Sequence, residues 1–400
     1  MSEKTFREQL TFKNTILGVQ FLFVAFGATV LVPLLVGIDP AVALFTAGIG
    51  TLLFHLITKG QVPVFLGSSF AFIAPIIEAT RLYGWSGTLS GIIAVGVVYG
   101  VVSALVKLRG ITFVERLFPS VVVGPVIMII GLSLASAAVD MAKTDYALAV
   151  ISLATAITVV IYGKRMIKLI PIFIGIAVGY IVALIWGKVD YSAIQEAAWF
   201  SLPEFTTPQF SWQAILYMVP VAIAPVIEHV GDMYTIGGVC EKNFIEKPGL
   251  HRTLLGDGIA TALAGFFGGV PNTTYSEVTG AITLTKVTNP FILRIAAVTA
   301  IVFALVGKIS GFLETIPQAI LGGIMLLLFG MIASIGIKTL VDSKADMGET
   351  RNQVIVSVVL TVGIGGAVVT YGHFSLAGIG LAATVGIILN LLLPKTKEEK

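Results

Sequence analysis

Two short stretches of this 400-residue chain decide its fold: QVPVFLGSSFAF at residues 61–72 and GVPNTTYSEVTG at residues 269–280. Both carry polar residues inside otherwise apolar sequence, and both contain a proline as their third residue. Pro63 and Pro271 lack a backbone N–H and disfavour helix in the residue before them. The residues that follow are largely β-branched or aromatic, which favours extended chain. We therefore predict that the backbone becomes extended within each stretch.

The sequence around these stretches has the composition of a membrane protein. Apolar residues make up 56% of the chain and charged residues 12%, whereas a soluble domain carries about a quarter charged residues. Windows without any charge cover residues 14–38, 82–106 and 352–394. Because a helix needs about 20 apolar residues to cross a bilayer, we predict an all-α polytopic protein embedded in the lipid bilayer.

The apolar windows predict fourteen transmembrane segments, two of them short. They lie at 15–37, 42–58, 64–80, 84–106, 118–139, 146–163, 169–187, 212–236, 253–269, 273–288, 290–307, 315–337, 352–370 and 375–393. If the N-terminus is cytoplasmic, twenty basic residues fall on the cytoplasmic side. The other side then holds four: Arg81, Lys143, Lys188 and Lys308. This positive-inside bias predicts a multi-pass protein of the cell membrane, inner or plasma, with both termini cytoplasmic.

The chain also matches itself at an offset of 208 residues. The Val-Pro pair at 62–63 aligns with the pair at 270–271. An offset of about half the chain predicts two seven-segment repeats, at 1–200 and 201–400. Because seven is odd, the second repeat enters the membrane from the opposite side and is inverted. Paired interrupted segments in two such halves indicate a transporter's binding site. The alternative is a pair of re-entrant loops that only seal the fold.

Three carboxylates lie where a bilayer makes a charge costly. Glu228 and Asp232 fall within one predicted segment, four residues apart and therefore on one helical face. Glu277 falls in the second interrupted stretch. Such residues usually face the bundle interior and mark ion or substrate paths. With no basic residue near them in these segments, burial and mutual repulsion favour the protonated carboxyl, so we expect them to carry a proton. For Asp232 the alternatives are a residue near the membrane interface or a buried hydrogen-bond partner.

Neighbouring residues receive other interpretations. His229 lies about 100° around the helix from Glu228 and is expected on another face. Asp257 is interpreted as a helix cap or an interface residue. The rings of Phe70, Phe72 and Tyr275 are able to stack on a flat ligand, with core packing as the alternative.

Several other function classes find no support in the sequence. A net charge of +3 without a basic patch argues against a nucleic-acid partner. One cysteine, Cys240, and four scattered histidines give no metal-ligand spacing. We also find no P-loop and no nucleophile–base pair. We therefore expect no enzyme, no cofactor and no metal. A channel is the alternative, and it would show flux without saturation.

Six stretches carry a resemblance to a known family: FGATVLVPLL (26–35), PVFLGSSFAFIAP (63–75), EHVGD (228–232), GLHRTLLGDGIAT (249–261), GFFGGVPNTTYSE (265–277) and LLLFGMIASIGI (326–337). They resemble the nucleobase–cation symporter family that includes the nucleobase–ascorbate transporters, and most closely its bacterial-type uracil permeases. The resemblance implies fourteen segments in two inverted seven-segment repeats. It also implies a division into core and gate domains, with short strands in segments 3 and 10.

The resemblance also implies a site. Glu228 stands at the family's substrate-binding glutamate, and Asp232 at the polar residue four positions later. Glu277 stands at the acidic or amide position of segment 10, where Glu rather than Gln favours uracil. Its neighbours Tyr275 and Ser276, and Phe70 in segment 3, complete the expected substrate-binding set. Val278 departs from the family, which has Asn there.

Together these features predict proton-coupled symport of uracil into the cell, with Glu277, Glu228 and Asp232 as the coupling residues. The alternatives are a symporter for the purines xanthine, urate or guanine, or an anion transporter of the same fold. The sequence leaves open whether H⁺ or Na⁺ is the coupling ion. It also leaves open the oligomeric state, for which a homodimer is one alternative.

Overall fold

The computed structural model describes residues 11–110, 118–164, 167–168, 170–371 and 374–394, and most of these residues are helical. The helices of the first half are α1 (Phe12–Val36), α2 (Pro40–Ile57), α3 (Ile73–Arg109), α4 (Ser120–Leu132), α5 (Ala135–Ala142), α6 (Tyr146–Tyr162), α7 (Pro171–Ile185) and α8 (Ser192–Glu196). Those of the second half are α9 (Trp212–Met218), α10 (Ile223–Cys240), α11 (Leu250–Phe266), α12 (Ser276–Thr285), α13 (Pro290–Ala304), α14 (Gly307–Glu314), α15 (Gln318–Asp342), α16 (Thr350–Ile364) and α17 (Gly378–Leu392).

Local sequence sets the starts of several helices. The Asp39 carboxylate accepts a hydrogen bond of 2.8 Å from the Ala41 N–H, and Pro40 occupies the first helical position of α2. Asn289 and Pro290 repeat this arrangement at the start of α13. A side-chain acceptor satisfies an N–H that has no partner within the helix, and proline costs nothing at this position. These helices therefore begin where the sequence supplies a cap.

Six helical segments among the described residues are long and apolar enough to cross a membrane: Phe12–Val36, Pro40–Ile57, Phe70–Arg109, Ser120–Ala142, Trp212–Cys240 and Gln318–Asp342. Helices α13 and α14 count as a seventh if the pair, bent by 79°, is one span. Helices α6, α7, α16 and α17 are apolar but shorter. The chain is thus a multi-pass membrane protein, and the number fourteen stays a prediction.

Two strands lie in the interrupted stretches. Strand β1 (Leu66–Ser68) pairs antiparallel with β2 (Asn272–Thr274), and both are buried. Gly67 lies opposite Thr273 in this register. The two stretches are more than 200 residues apart in sequence and hydrogen-bond to each other, so backbone groups freed from helix are satisfied inside the protein, as an apolar environment demands.

The structure departs from the predicted segments near the C-terminus. Residues predicted to end one helical span at 370 and to begin the next at 375 form an antiparallel hairpin of β3 (Val368–Tyr371) and β4 (Phe374–Ala377). The prediction of helix there is wrong. Gly366 adopts a φ of 70° just after α16, which glycine accepts readily. The Val-Val-Thr run that follows favours strand.

Close helix packing joins the two halves of the chain. A Cβ on Gly96 of α3 would lie 2.5 Å from the Gly258 carbonyl oxygen of α11, and a Cβ on Gly258 would lie 2.8 Å from the Gly96 oxygen. The two backbones approach too closely for any side chain at these positions. Small residues allow such contact between membrane helices. This contact packs α3, which follows β1, against α11, which precedes β2.

Candidate functional site

The paired strands end beside a cavity of about 610 Å³. A short 3₁₀ turn, Phe70–Phe72, follows β1 and leads into α3, while α12 starts at Ser276 directly after β2. The starts of two helical segments therefore border the cavity.

The structure brings five predicted site residues to this cavity. Its lining includes Phe70, Glu228, Tyr275, Ser276 and Glu277. Glu228 comes from α10 and is half-buried, whereas the other four come from the interrupted stretches. Two carboxylic acids thus face one cavity that is also lined by an aromatic ring and a hydroxyl. Such a space can accept hydrogen bonds from a small polar ring and can donate hydrogen bonds to it.

Asp232 lies behind the cavity rather than in its lining. Its carboxylate accepts hydrogen bonds from the Thr274 hydroxyl at 2.6 Å and from the Ser276 hydroxyl at 2.7 Å. Only 7% of the residue is exposed. The two bonds tie α10 to β2 and to the first turn of α12. The arrangement is that of a buried hydrogen-bond partner, and the proton-coupling role of Asp232 stays a prediction.

Tyr275 braces the two strands. Its hydroxyl donates to the Ser68 carbonyl at 2.9 Å, and its backbone N–H donates to the Phe65 carbonyl at 3.2 Å. The residue is 3% exposed. A Cβ on Gly67 would lie 2.4 Å from atoms of the Tyr275 ring, so the ring lies directly over the glycine backbone. The absence of a side chain at Gly67 makes this contact between ring and strand possible.

Gly67→Ala is expected to disrupt the site. The added methyl group would meet the Tyr275 ring at 2.4 Å and the Thr29 hydroxyl at 2.7 Å, and both groups are buried, so neither side chain yields easily. We expect a lower midpoint of thermal unfolding in detergent and a loss of ligand binding. Gly100→Ala is the matched control, because nothing lies within 4 Å of its added methyl group. Equal behaviour of the two variants would contradict the bracing role of Tyr275.

A buried pair next to the site was missed from sequence. His229 Nδ1 lies 2.8 Å from Asp257 Oδ2, and both side chains are fully buried. Asp257 lies in the middle of α11, so its interpretation as a cap or interface residue is wrong. His229 does point away from the cavity lining, as its angular position predicted. The signal for the pair was a histidine in one apolar helix and an aspartate inside another, since each needs a buried partner.

Asp257→Ala is expected to lower the free energy of unfolding by about 3–5 kcal/mol, because removing one partner leaves a buried polar group without compensation. Asp140→Ala serves as the control. Asp140 pairs with Lys143 on the surface, and exposed pairs contribute little. Thermal or denaturant unfolding of both variants would measure the difference. Stability losses of similar size would show that the pair of His229 and Asp257 does not stabilise the junction of α10 and α11.

A second cavity, of about 740 Å³, adjoins the first. Phe70, Glu277, Ile332 and Ile335 line both cavities. The second cavity lies among α1, the start of α7 and the middle of α15, and the rest of its lining in the described part of the chain is apolar. No group of three His, Cys, Asp or Glu side chains suited to a metal ion occurs in the described part of the chain.

Comparison with known proteins finds a matching family model and several relatives of this chain. A family model described as "Permease family" (Xan_ur_permease) matches residues 12–372. The probable uracil permease of Pasteurella multocida is 54% identical over 98% of this chain and 96% of its own length. The uracil permease of Bacillus caldolyticus is 47% identical, with 94% and 91% covered. That of Escherichia coli K12 is 40% identical, with 94% and 90% covered.

The chain belongs to the nucleobase–ascorbate transporter family. The resemblance drawn from the six sequence stretches is thereby confirmed. The homologues of this nucleobase–ascorbate transporter are permeases, which also confirms the prediction that the chain is not an enzyme.

The fold of this transporter is shared with anion transporters of very different sequence. The transmembrane domain of a cyanobacterium bicarbonate transporter, BicA, superimposes with a TM-score of 0.64 at 13% identity, covering 97% of this chain and 99% of that one. The murine anion transporter Slc26a9 gives a TM-score of 0.72 at 11% identity, with 98% and 69% covered. At such identities the likeness concerns the fold alone. The nucleobase–ascorbate transporter therefore has a mostly helical membrane-transporter fold.

Proposed function

We propose that this transporter carries uracil into the cell by symport with a proton across the cell membrane. The observation that carries the proposal is the cavity that Glu228 and Glu277 line together, at the ends of two interrupted segments. Its relatives at 40–54% identity are named uracil permeases. The purine alternative is not favoured, because these relatives are named uracil permeases. The anion alternative is not favoured, because the anion transporters share only the fold.

Uracil has N–H donors beside carbonyl acceptors, and the cavity offers partners for both. The Glu228 carboxylate is placed to accept from a ring N–H. Backbone N–H groups at Phe70 and Ser276 start helical turns, where N–H groups lack partners within the helix and the dipole favours an electronegative atom. They are proposed to donate to the uracil carbonyls. The Phe70 ring offers an apolar face to the base.

The proton is proposed to reside on Glu277, with Glu228 and Asp232 as further coupling residues. Glu277 lies in the first turn of α12 and shares the cavity with Glu228. Two ionised carboxylates there would repel each other across the bound base, and a neutral base displaces water that would otherwise stabilise the charge. A protonated carboxyl is also able to donate a hydrogen bond. Substrate occupancy and proton occupancy would therefore favour each other.

The architecture proposed for this function has fourteen segments in two inverted repeats, residues 1–200 and 201–400. In support, adding 208 to the residue numbers of α2 gives bounds that differ from those of α11 by at most two residues at each end. The same offset brings α7 within one residue of α17. Strands β1 and β2 would then belong to segments 3 and 10. Both termini are proposed to be cytoplasmic.

The core and gate domains are proposed to meet at the two cavities. Helices α1, α2, α3, α11 and α13 pack together as part of the core, while α4, α5 and α6 pack on α15 as part of the gate. The second cavity has walls from α1 of the first group and α15 of the second. The first cavity lies between α4 and α15 of the second group on one side and α10 with the interrupted stretches on the other. Relative movement of the two groups would expose the site to one side of the membrane and then to the other.

Uptake of radiolabelled uracil by proteoliposomes under an imposed pH gradient tests the proposal. We expect saturable accumulation that depends on the gradient and is unchanged when Na⁺ is omitted. Excess xanthine, urate or guanine is expected to compete weakly. Accumulation that follows a Na⁺ gradient alone would contradict proton coupling, and flux without saturation would indicate a channel.

A further inference from the structure

The second cavity has a chemistry that the proposed uracil site does not use. It is called the apolar alcove here, and Phe23, Ala28, Ile172, Leu327, Leu328 and Met331 are among its walls. Among the described residues of its lining, Glu277 is the only one with an ionisable side chain, and it lies where the alcove meets the site. The alcove is therefore an apolar extension of a polar site, reached past the shared side chains of Phe70, Glu277, Ile332 and Ile335.

The walls of the alcove are held in place by packing. The rings of Phe23 and Phe173 meet edge to face with centroids 5.5 Å apart. A Cβ on Gly27 would lie 2.9 Å from the Ile172 side chain, so α1 and the start of α7 are in close contact. Such contacts define the space before a ligand arrives, and a preformed apolar surface binds apolar groups without the cost of ordering side chains.

The shape of a pyrimidine base indicates what enters this space. The N–H and C=O groups of uracil occupy one continuous part of the ring, and the C5–C6 edge is its apolar part. If the polar groups face Glu228 and the helix starts, the C5–C6 edge faces the apolar part of the shared wall, at Ile332 and Ile335. We propose that the apolar alcove is a subsite for an apolar substituent on C5 or C6 of a pyrimidine base. This inference rests on the proposed function.

Displacement of radiolabelled uracil from the purified full-length protein by 5-alkyl and 6-alkyl uracils of increasing length tests the subsite. Each methylene removed from water gains about 0.8 kcal/mol, which corresponds to about fourfold in affinity. We therefore expect ethyl and propyl derivatives of at least one series to bind two- to fourfold more tightly for each added methylene. Uracil itself provides the reference for every variant.

Met331→Trp is expected to lower the affinity for the alkyl uracils by about tenfold or more, because the indole fills the alcove. The gain in affinity over uracil is then lost. Met331 lines the alcove but not the 610 Å³ cavity, so binding of uracil should stay within about twofold of wild type. Ile337→Trp is the matched control, since this residue lies on the same helix, is exposed and lines neither cavity. Leu327→Trp is a second filling variant if Met331→Trp does not fold.

Two results would overturn the inference. In one, both alkyl series bind more weakly than uracil with each added carbon. In the other, the gain survives in a filling variant that still binds uracil. If the wild-type protein does not bind uracil at all, both the proposed function and the inferred subsite are wrong. A protein that binds uracil but rejects every alkyl derivative overturns the subsite alone.

Discussion

Glu228→Ala is expected to weaken uracil binding beyond the measurable range, by about 10- to 150-fold. A hydrogen bond to a charged group contributes about 1.5–3 kcal/mol. The Glu228 carboxylate is half-buried in the cavity wall. Among the side-chain hydrogen bonds of the described residues it has no partner, so it is available to the uracil. Glu228→Gln is expected to be nearly as damaging, because an amide has one acceptor oxygen where the carboxylate has two. Equilibrium binding of radiolabelled uracil measures both effects.

The matched control for this prediction is Glu241→Gln. Glu241 caps the C-terminal end of the same helix, α10, and lies outside both cavities. Binding by this variant should equal that of the wild type. Near-normal affinity in Glu228→Gln would show that a carboxylate acceptor at this position is not needed, and the proposed substrate anchor would be wrong.

Glu277→Gln is expected to separate binding from transport. The amide is permanently neutral and imitates the protonated carboxyl, so the variant should retain some uracil binding with a much weaker dependence on pH. It should fail to concentrate uracil against a gradient, because no proton is taken up and released with the base. Binding assays over a pH series and uptake by proteoliposomes under a pH gradient measure the two properties in one preparation.

Glu314→Gln is the control for this variant, since Glu314 ends α14 and lines neither cavity. It should accumulate uracil normally. Wild-type accumulation driven by a pH gradient in Glu277→Gln would remove Glu277 as the coupling residue. Glu228 or Asp232 would then carry the proton.

The contacts of Asp232 bear on that alternative. Two hydroxyls donate to its carboxylate, from Thr274 and Ser276. Both donors favour the ionised carboxylate, and a proton on either oxygen would weaken the bond that this oxygen accepts or reverse its direction. A proton on Asp232 would thus loosen the junction between α10 and α12. The predicted coupling role of Asp232 would therefore require movement of the site, whereas a proton on Glu277 need not disturb these bonds.

Sequence alone could predict those features that depend on local chemistry. The length and apolarity of the charge-free windows identify a membrane protein, because crossing hydrocarbon requires about 20 apolar residues. The prolines at 63 and 271 mark where helix is interrupted, because proline acts on its immediate neighbours. Glu228 and Glu277 stand out because a charge among apolar residues is costly wherever the chain folds. The family follows from the same stretches.

The tertiary structure decided which groups became partners. The pairing of His229 with Asp257, the ring of Tyr275 over Gly67 and the bonds from two hydroxyls to Asp232 all join residues far apart in sequence. No local preference specifies such a partner, since many buried polar groups compete for it. The apolar alcove also arises only where α1, α7 and α15 meet. The sequence determined where the membrane helices are interrupted and which acids lie there, and packing decided what those acids face, because a cavity is bounded by side chains from several elements at once.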